Sequence, residues 1–211
     1  MQSKVSITTP STFTSMTTLE RVKAELGITN SASDALLLAK IAEASSDLEA
    51  HIGGRLCRER LTQLCWGVPN VAAVLVLARF PVASIVSLAV DDDDVDLAEL
   101  RLDEETGLLT RLTADGYPCS WHWAKSVSIV FDAGYLMPGE AGRDLPPVLE
   151  AAAVELVSSY WAAKGRDPLV RVEDIPGVMR TEYWVGAVGE AGSLPPSVES
   201  KIEPFRRGMF A

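Results

Sequence analysis

Only two histidines and three cysteines, Cys57, Cys65 and Cys119, occur in 211 residues. There is no CxxC pair and no histidine at zinc-like spacing, so the chain encodes neither a disulfide framework nor a structural zinc site, and a reduced, intracellular setting is the expectation. Nucleotide-loop, nucleophile-elbow and zinc-protease signatures are equally missing. With so few histidines, a serine or cysteine nucleophile has little prospect of an oriented base, and no catalytic residue is expected. No cofactor or metal is expected either. Basic residues are in deficit, 19 against 29 acidic ones, for a net charge of −10. That balance opposes tight binding to a phosphate backbone, because such affinity comes from cationic groups releasing counterions. A membrane span is also lacking. The most apolar stretch, Leu61 to Val90, has Arg79 as its only charge, but Pro69, Asn70 and Pro81 cut it into short runs where a spanning helix needs about 20 unbroken apolar residues. Residues 1–16 carry many Ser and Thr and no apolar core of a secretory signal, so they are expected to form a flexible arm.

What is present is an ordinary globular composition, 47% hydrophobic and 23% charged, in a length that suits one domain with its own core. Thr17 and Glu20 fit a capping box ahead of Leu19, Val22 and Leu26, with Gly27 as the stop. Ser33 can cap a second helix on which Leu37, Ile41, Ala44, Leu48 and Ile52 form one apolar face ending at Gly53-Gly54. From Arg58 to about Tyr135 the pattern changes to short runs: Val71 to Ala78, Ser84 to Val90, Glu99 to Leu102, Leu108 to Leu112 and Ser126 to Phe131. Phe80-Pro81, Asp91 to Asp94, Glu105-Thr106-Gly107 and Asp115-Gly116 punctuate them as turns. No crossover helix fits between these runs, so sequential antiparallel pairing is predicted. Leu145-Pro146-Pro147 opens a third helix with Leu149, Ala152, Leu156 and Tyr160 on its core face. A strand-like segment around Ile175-Pro176-Gly177 follows, then a Gly/Ala linker, then a short helix from Pro195-Pro196 carrying Val198 and Ile202. The predicted fold class is α+β, with N- and C-terminal helices forming a small bundle and a central antiparallel β unit. The predicted organisation is an arm over 1–16, one domain over 17–185 (helical 17–57, β-rich 58–136, helix 144–165), and a linker with a docking segment over 186–211.

Four features could carry function. Asp91, Asp92, Asp93, Asp94 and Asp96 resemble the start of a calcium loop, but Leu97 stands where that loop needs glycine and Asp103 where it needs glutamate; a solvated hairpin tip is the alternative. Trp121-His122-Trp123 puts two indoles on one strand face, suiting core or interface packing better than base stacking. His51 near a helix C-terminus fits a dipole or hydrogen-bonding role. The segment with Val198, Ile202, Phe205, Arg206 and Arg207 either docks into a partner's groove or folds back on its own core. Charge is uneven too: residues 61–140 hold four basic and twelve acidic groups, so the β region would repel DNA.

The order of several segments resembles the phage head-tail connector family, the adaptors that long-tailed phages and gene transfer agents place beneath the portal. The segments are Thr18-Leu19-Glu20-Arg21-Val22-Lys23, Asp34 to Leu38, Ile41-Ala42-Glu43-Ala44-Ser45, Ile52-Gly53-Gly54-Arg55-Leu56, Arg79-Phe80-Pro81-Val82-Ala83-Ser84-Ile85, Val127 to Tyr135 ending Asp132-Ala133-Gly134-Tyr135, and Leu145-Pro146. The resemblance implies a non-enzymatic virion neck protein, in the host cytoplasm during assembly. It implies a cyclic homo-oligomer, a dodecameric ring, coaxial with the portal protein. That ring extends a channel for double-stranded DNA that passes without specific binding, and offers a platform to a head-completion, stopper or tail-terminator protein. On this reading Val198, Ile202, Phe205, Arg206 and Arg207 reach the portal, Trp121 and Trp123 lie at a subunit or neck interface, and Asp91, Asp92, Asp93 and Asp94 form an acidic channel loop. A head- or tail-completion protein at another neck position is the alternative, and a divalent-metal protein using the Asp91 to Asp96 loop a more remote one.

Overall fold

The computed structural model describes residues 2–69, 73–121, 124–164, 172–175, 179–182 and 194–206. The chain divides into two compact units, residues 1–13 with 56–136 and residues 14–55 with 137–211.

The described residues of the first unit form strands, with one 3-10 turn at Leu97–Glu99. Its strands are β1 (Gln2–Thr9), β2 (Glu59–Trp66), β3 (Val74–Val76), β4 (Val82–Val90), β5 (Asp93–Asp94), β6 (Leu100–Asp103), β7 (Leu108–Arg111) and β8 (Ser126–Ala133). Five form one sheet in the order β1-β2-β8-β4-β5, and three form a second in the order β3-β7-β6. Every pairing between these strands is antiparallel, and an isolated bridge between Cys57 and Tyr135 is parallel. β8 shows the pattern that makes a central strand: Val127, Ile129, Phe131 and Ala133 are buried and the residues between them are not. Together with Leu61, Cys65, Val82 and Leu88 of the large sheet they pack on Leu75 and Leu109 of the small one. The core of this unit therefore fills the space between two sheets.

Two features differ from the sequence expectation. Pairing is sequential only in part: β1–β2, β4–β5 and β6–β7 are neighbours in sequence, but β3 pairs with β7 and β8 returns to lie between β2 and β4, where its alternating apolar face buries more than at an edge. Residues 2–9, expected as an arm, form β1, which pairs with β2 from Gln2↔Trp66 to Ile7↔Leu61.

The second unit holds α1 (Leu19–Leu26), α2 (Asp34–Ile52), α3 (Pro147–Ala162) and α4 (Pro196–Ile202), with a hairpin of β9 (Val172–Ile175) and β10 (Met179–Glu182). The N-terminal pair α1 and α2 and the C-terminal α4 all pack on α3. The fold class is thus α+β, with helices from both ends of the sequence in one unit. The cap of α1 is Thr18, not Thr17: its hydroxyl accepts from the Arg21 N–H at 3.3 Å, a bond that satisfies one of the orphan amides of the first turn. On α2 the five expected apolar positions are all buried. Ser33 precedes it without a side-chain cap bond; the Asp34 carboxylate instead takes a bond from Lys23 Nζ at 2.7 Å, joining α1 to α2. Tyr160 of α3 donates to Asp47 of α2 at 2.6 Å. Burial and that carboxylate both push the phenol's pKa up, so the hydroxyl stays a donor throughout the physiological range.

Candidate functional site

The acidic tip is a tight hairpin. Val90 pairs with Asp93, leaving Asp91 and Asp92 as a two-residue loop with φ of 51° and 73°. Two positive φ values in succession define the type I′ turn, whose twist matches that of the flanking strands. The Asp91 carboxylate accepts from the Ser126 N–H at 2.8 Å, and its own N–H donates to the Ser126 carbonyl at 2.9 Å, so this residue ties the turn to β8. Asp92, Asp93 and Asp94 are exposed. Among the described residues no group of three His, Cys, Asp or Glu is placed to hold a metal ion. Asp92 tolerates the left-handed backbone less well than glycine, so Asp92→Gly is expected to stabilise the protein by about 0.5–1 kcal/mol in a urea titration.

Trp121 is fully buried among Leu75, Leu109 and Val127 in the core between the sheets. It is therefore not a subunit contact; its large apolar area is taken by its own core, and its Nε1 has no hydrogen-bond partner among the described residues. His122 and Trp123 lie outside the described residues.

Val198 and Ile202 are fully buried where α4 packs on α3, so these two face their own core, not a partner. Glu155 of α3 accepts from Ser197 Oγ and Lys201 Nζ of α4, and these bonds pull its pKa down. Beyond them Phe205 is half-buried and Arg206 is exposed, 3.2 Å from Glu203. Arg207 and the linker over 186–193 lie outside the described residues. No helix among the described residues is long and apolar enough to cross a membrane.

Three of the segments that carry the family resemblance, the one ending at Leu56, the one with Arg79-Phe80-Pro81 and the one ending at Tyr135, meet at one place in the β unit. After β8, Gly134 N donates to the Pro81 carbonyl at 2.8 Å and Tyr135 N to the Leu56 carbonyl at 2.7 Å; Arg58 N returns a bond to the Tyr135 carbonyl at 2.8 Å. Arg58 Nε adds a bond to the Gly134 carbonyl at 3.1 Å. Gly134 has φ +102°, and a Cβ there would lie 2.5 Å from the Cys57 carbonyl oxygen and 2.6 Å from that of Leu56. Beside this crossing, Arg79 Nη1 lies 2.5 Å from the Glu59 carboxylate, whose side chain is wholly buried. Arg60 forks onto Asp132 with bonds of 2.8 and 2.9 Å. Neither Glu59 nor Gln63 belongs to a motif that marks it out in the sequence. Their one signal is positional, as polar residues at the inward sites of an alternating strand, Glu59, Leu61, Gln63 and Cys65. Gln63 donates to the Val76 carbonyl at 3.0 Å and accepts from Ala78 N at 2.8 Å, which satisfies backbone groups beside β3. Donors and acceptors here are spent on each other, so the arrangement fixes backbone position.

Asp132 and Glu155 titrate alike. The bidentate Arg60 lowers the Asp132 pKa, as Lys201 and Ser197 lower that of Glu155. Each carboxyl therefore binds fewer protons folded than unfolded in acid. Their stabilisation is complete above the ordinary carboxylate range, about pH 4–5, and drains away as pH falls below it toward the depressed folded values. Melting temperature should fall between about pH 5 and 3, and the fall should be shallower in Asp132→Asn; an unchanged slope in that variant would remove Asp132 from the account.

Residues 16–90 match the family described as phage gp6-like head-tail connector protein. Three solved structures share the fold over almost the whole chain. The neck of an empty gene transfer agent particle, computed with C6 symmetry, is 20% identical with a TM-score of 0.59, covering 99% of this chain and 98% of that one. The neck of the native particle, computed with C12 symmetry, is 21% identical with a TM-score of 0.58 and the same coverage. A chain of the native particle's virion is 19% identical with a TM-score of 0.59, covering 98% of each. No curated protein matches the sequence. The chain is thus similar to head-tail connector proteins over residues 16–90, and nearly all of it has the fold found in the neck of a gene transfer agent particle.

Proposed function

We propose that this protein is a structural subunit of a virion neck: a head-tail connector that forms a ring beneath the portal, lengthens the DNA channel and presents a platform to the next neck or tail protein. The observation that carries the reading is the end-to-end likeness of fold to neck chains of a gene transfer agent, joined to the family match over residues 16–90. The acidic surface agrees with it. Exposed Asp92, Asp93 and Asp94 repel the phosphate backbone, so DNA can slide past without being gripped. A structural role also suits motifs whose polar groups bond to each other at the Gly134 crossing.

Native mass spectrometry of the full chain, alone and mixed with portal rings, tests the reading. A closed ring, or stoichiometric addition to the portal, is the expected result. A monomer indifferent to the portal would overturn it in favour of a completion protein at another neck position. Portal contact is assigned to the end of the C-terminal segment, half-buried Phe205 and exposed Arg206, an aromatic and arginine pair of the kind that anchors interfaces. Because Val198 and Ile202 belong to the core, truncation would unfold α4 along with removing the contact. The double substitution Phe205→Ala with Arg206→Ala leaves that core intact and is expected to weaken portal binding by about tenfold or more; unchanged binding would move the contact elsewhere.

A further inference from the structure

The small sheet turns one face to the core and leaves the other bare. Leu75 and Leu109 are fully buried, while Val74, Val76 and Leu108 are 43%, 45% and 38% exposed. Register places charge on that same outer face. Val76 is paired with Leu108 and Leu108 with Asp103, while Val74 is paired with Thr110 and Thr110 with Arg101; directly opposed residues of an antiparallel pair share a face. A hollow of about 580 Å³ opens there, with Val74 and Leu108 on its apolar side and Asp103, Glu104 and Glu105 against one cation, Arg101, on its charged side.

The turn that carries the acids is held in place. The Asp103 carboxylate accepts from the Glu105 N–H at 3.2 Å and from the Thr106 N–H at 3.3 Å. Gly107 N donates to the Asp103 carbonyl at 2.9 Å, and Leu77 N donates to the Gly107 carbonyl at 2.9 Å, fastening the turn beside β3. The hollow is thus formed before anything enters it, which lowers the ordering cost of binding. Its surplus of carboxylates repels phosphate. The ligand it suits is a peptide with an arginine beside large apolar side chains, because a guanidinium donates to several carboxylate oxygens at once.

This chain carries such a peptide. After Phe205 and Arg206, and outside the described residues, the sequence reads Arg207-Gly208-Met209-Phe210-Ala211, one cation with two large apolar side chains and no acidic one. It follows directly on α4, which buried Val198 and Ile202 fasten to α3. We infer that the hollow receives segment 207–210 of a second copy, with the arginine among Asp103, Glu104 and Glu105 and with Met209 and Phe210 on Val74, Val76 and Leu108. Hollow and segment are unlike surfaces of one chain, so the contact is heterologous and each copy gives one segment and takes one. The inference rests on the ring proposed above, in which every copy has a neighbour, and it leaves Phe205 and Arg206 to the portal.

Charge exchange tests it, on full-length protein assembled with portal rings and read by native mass spectrometry. Glu104→Arg with Glu105→Arg reverses the hollow, and Arg207→Glu reverses the segment. Glu104 and Glu105 are exposed turn residues, so the hollow variant should melt like the wild type. Alone, each variant should associate about tenfold or more weakly between copies. Mixed in equal amounts the two should regain association, because each segment then meets a hollow of opposite charge; a lost portal contact would not be repaired by mixing. Undiminished association of both variants, or no recovery on mixing, overturns the inference. Should a variant not fold, a photo-reactive benzoylphenylalanine in place of Phe210 reads the same contact in a mixture of light and heavy isotope-labelled chains. Cross-links from one label to residues 74–76 or 101–108 of the other support it. Cross-links confined to one chain, or landing elsewhere on a neighbour, overturn it and leave the ring reading standing. Wild-type protein that stays monomeric both alone and with portal overturns the ring reading, and this contact with it.

Discussion

Gly134→Ala should be severely damaging, costing about 4 kcal/mol or abolishing folding. Two penalties combine. The residue sits at φ +102°, where an L side chain is strained, and the added Cβ would meet the Leu56 and Cys57 carbonyl oxygens at 2.6 and 2.5 Å. Backbone atoms cannot rotate aside as a side chain would, so relief requires breaking the bonds Tyr135 and Arg58 make across the same crossing. Gly27 provides the control. It too has a positive φ, at +66°, but nothing lies within 4 Å of the place a methyl group would take, so Gly27→Ala should cost only about 1 kcal/mol. Urea unfolding of both variants measures the difference, and equal losses would mean that the close approach at Gly134 matters little.

Arg79→Met should come next, at about 3–5 kcal/mol, because it takes the guanidinium away from a wholly buried carboxylate. Glu59 has no exposed side-chain surface and Arg79 only 13%, so water cannot take the place of the lost guanidinium. The double substitution Glu59→Met with Arg79→Met removes both charges and should recover most of the loss, ending within about 1–2 kcal/mol of the wild type. A double-mutant cycle reads this directly. Additive losses would show that the two side chains are not coupled.

Gly134 and Arg79 belong to segments that the family resemblance picks out, Asp132-Ala133-Gly134-Tyr135 and Arg79-Phe80-Pro81, yet nothing local explains why they matter. Their importance comes from meeting each other and residues 56–60 in space. The same holds where structure and sequence expectation part. Val198 and Ile202 have the spacing of a docking helix, and that spacing is identical whether the apolar face meets a partner or α3. Trp121 alternates as a strand residue, and alternation does not say which of two sheets closes over it. The N-terminal Ser/Thr-rich segment has one apolar face of just two residues, Val5 and Ile7, too weak a period to announce a strand without its partner β2.

Where a feature depends on near neighbours along the chain, the sequence was sufficient. The apolar face of α2 from Leu37 to Ile52, the stop at Gly27, the proline opening of α3, the alternation of β8 and the Asp91-Asp92 turn all follow from contacts within a few residues. The lack of catalytic signatures belongs with them, since it is a property of composition and spacing. Tertiary structure alone decided that β8 lies between β2 and β4, that Glu59 finds Arg79, that Gly134 must pass the Cys57 backbone, and that β1 ends with an uncovered apolar face. Each of these joins residues well separated along the chain. The physical reason is that local periodicity sets which side of an element is apolar, whereas the choice of what covers that side is made by burial, packing and hydrogen-bond satisfaction summed over the whole unit.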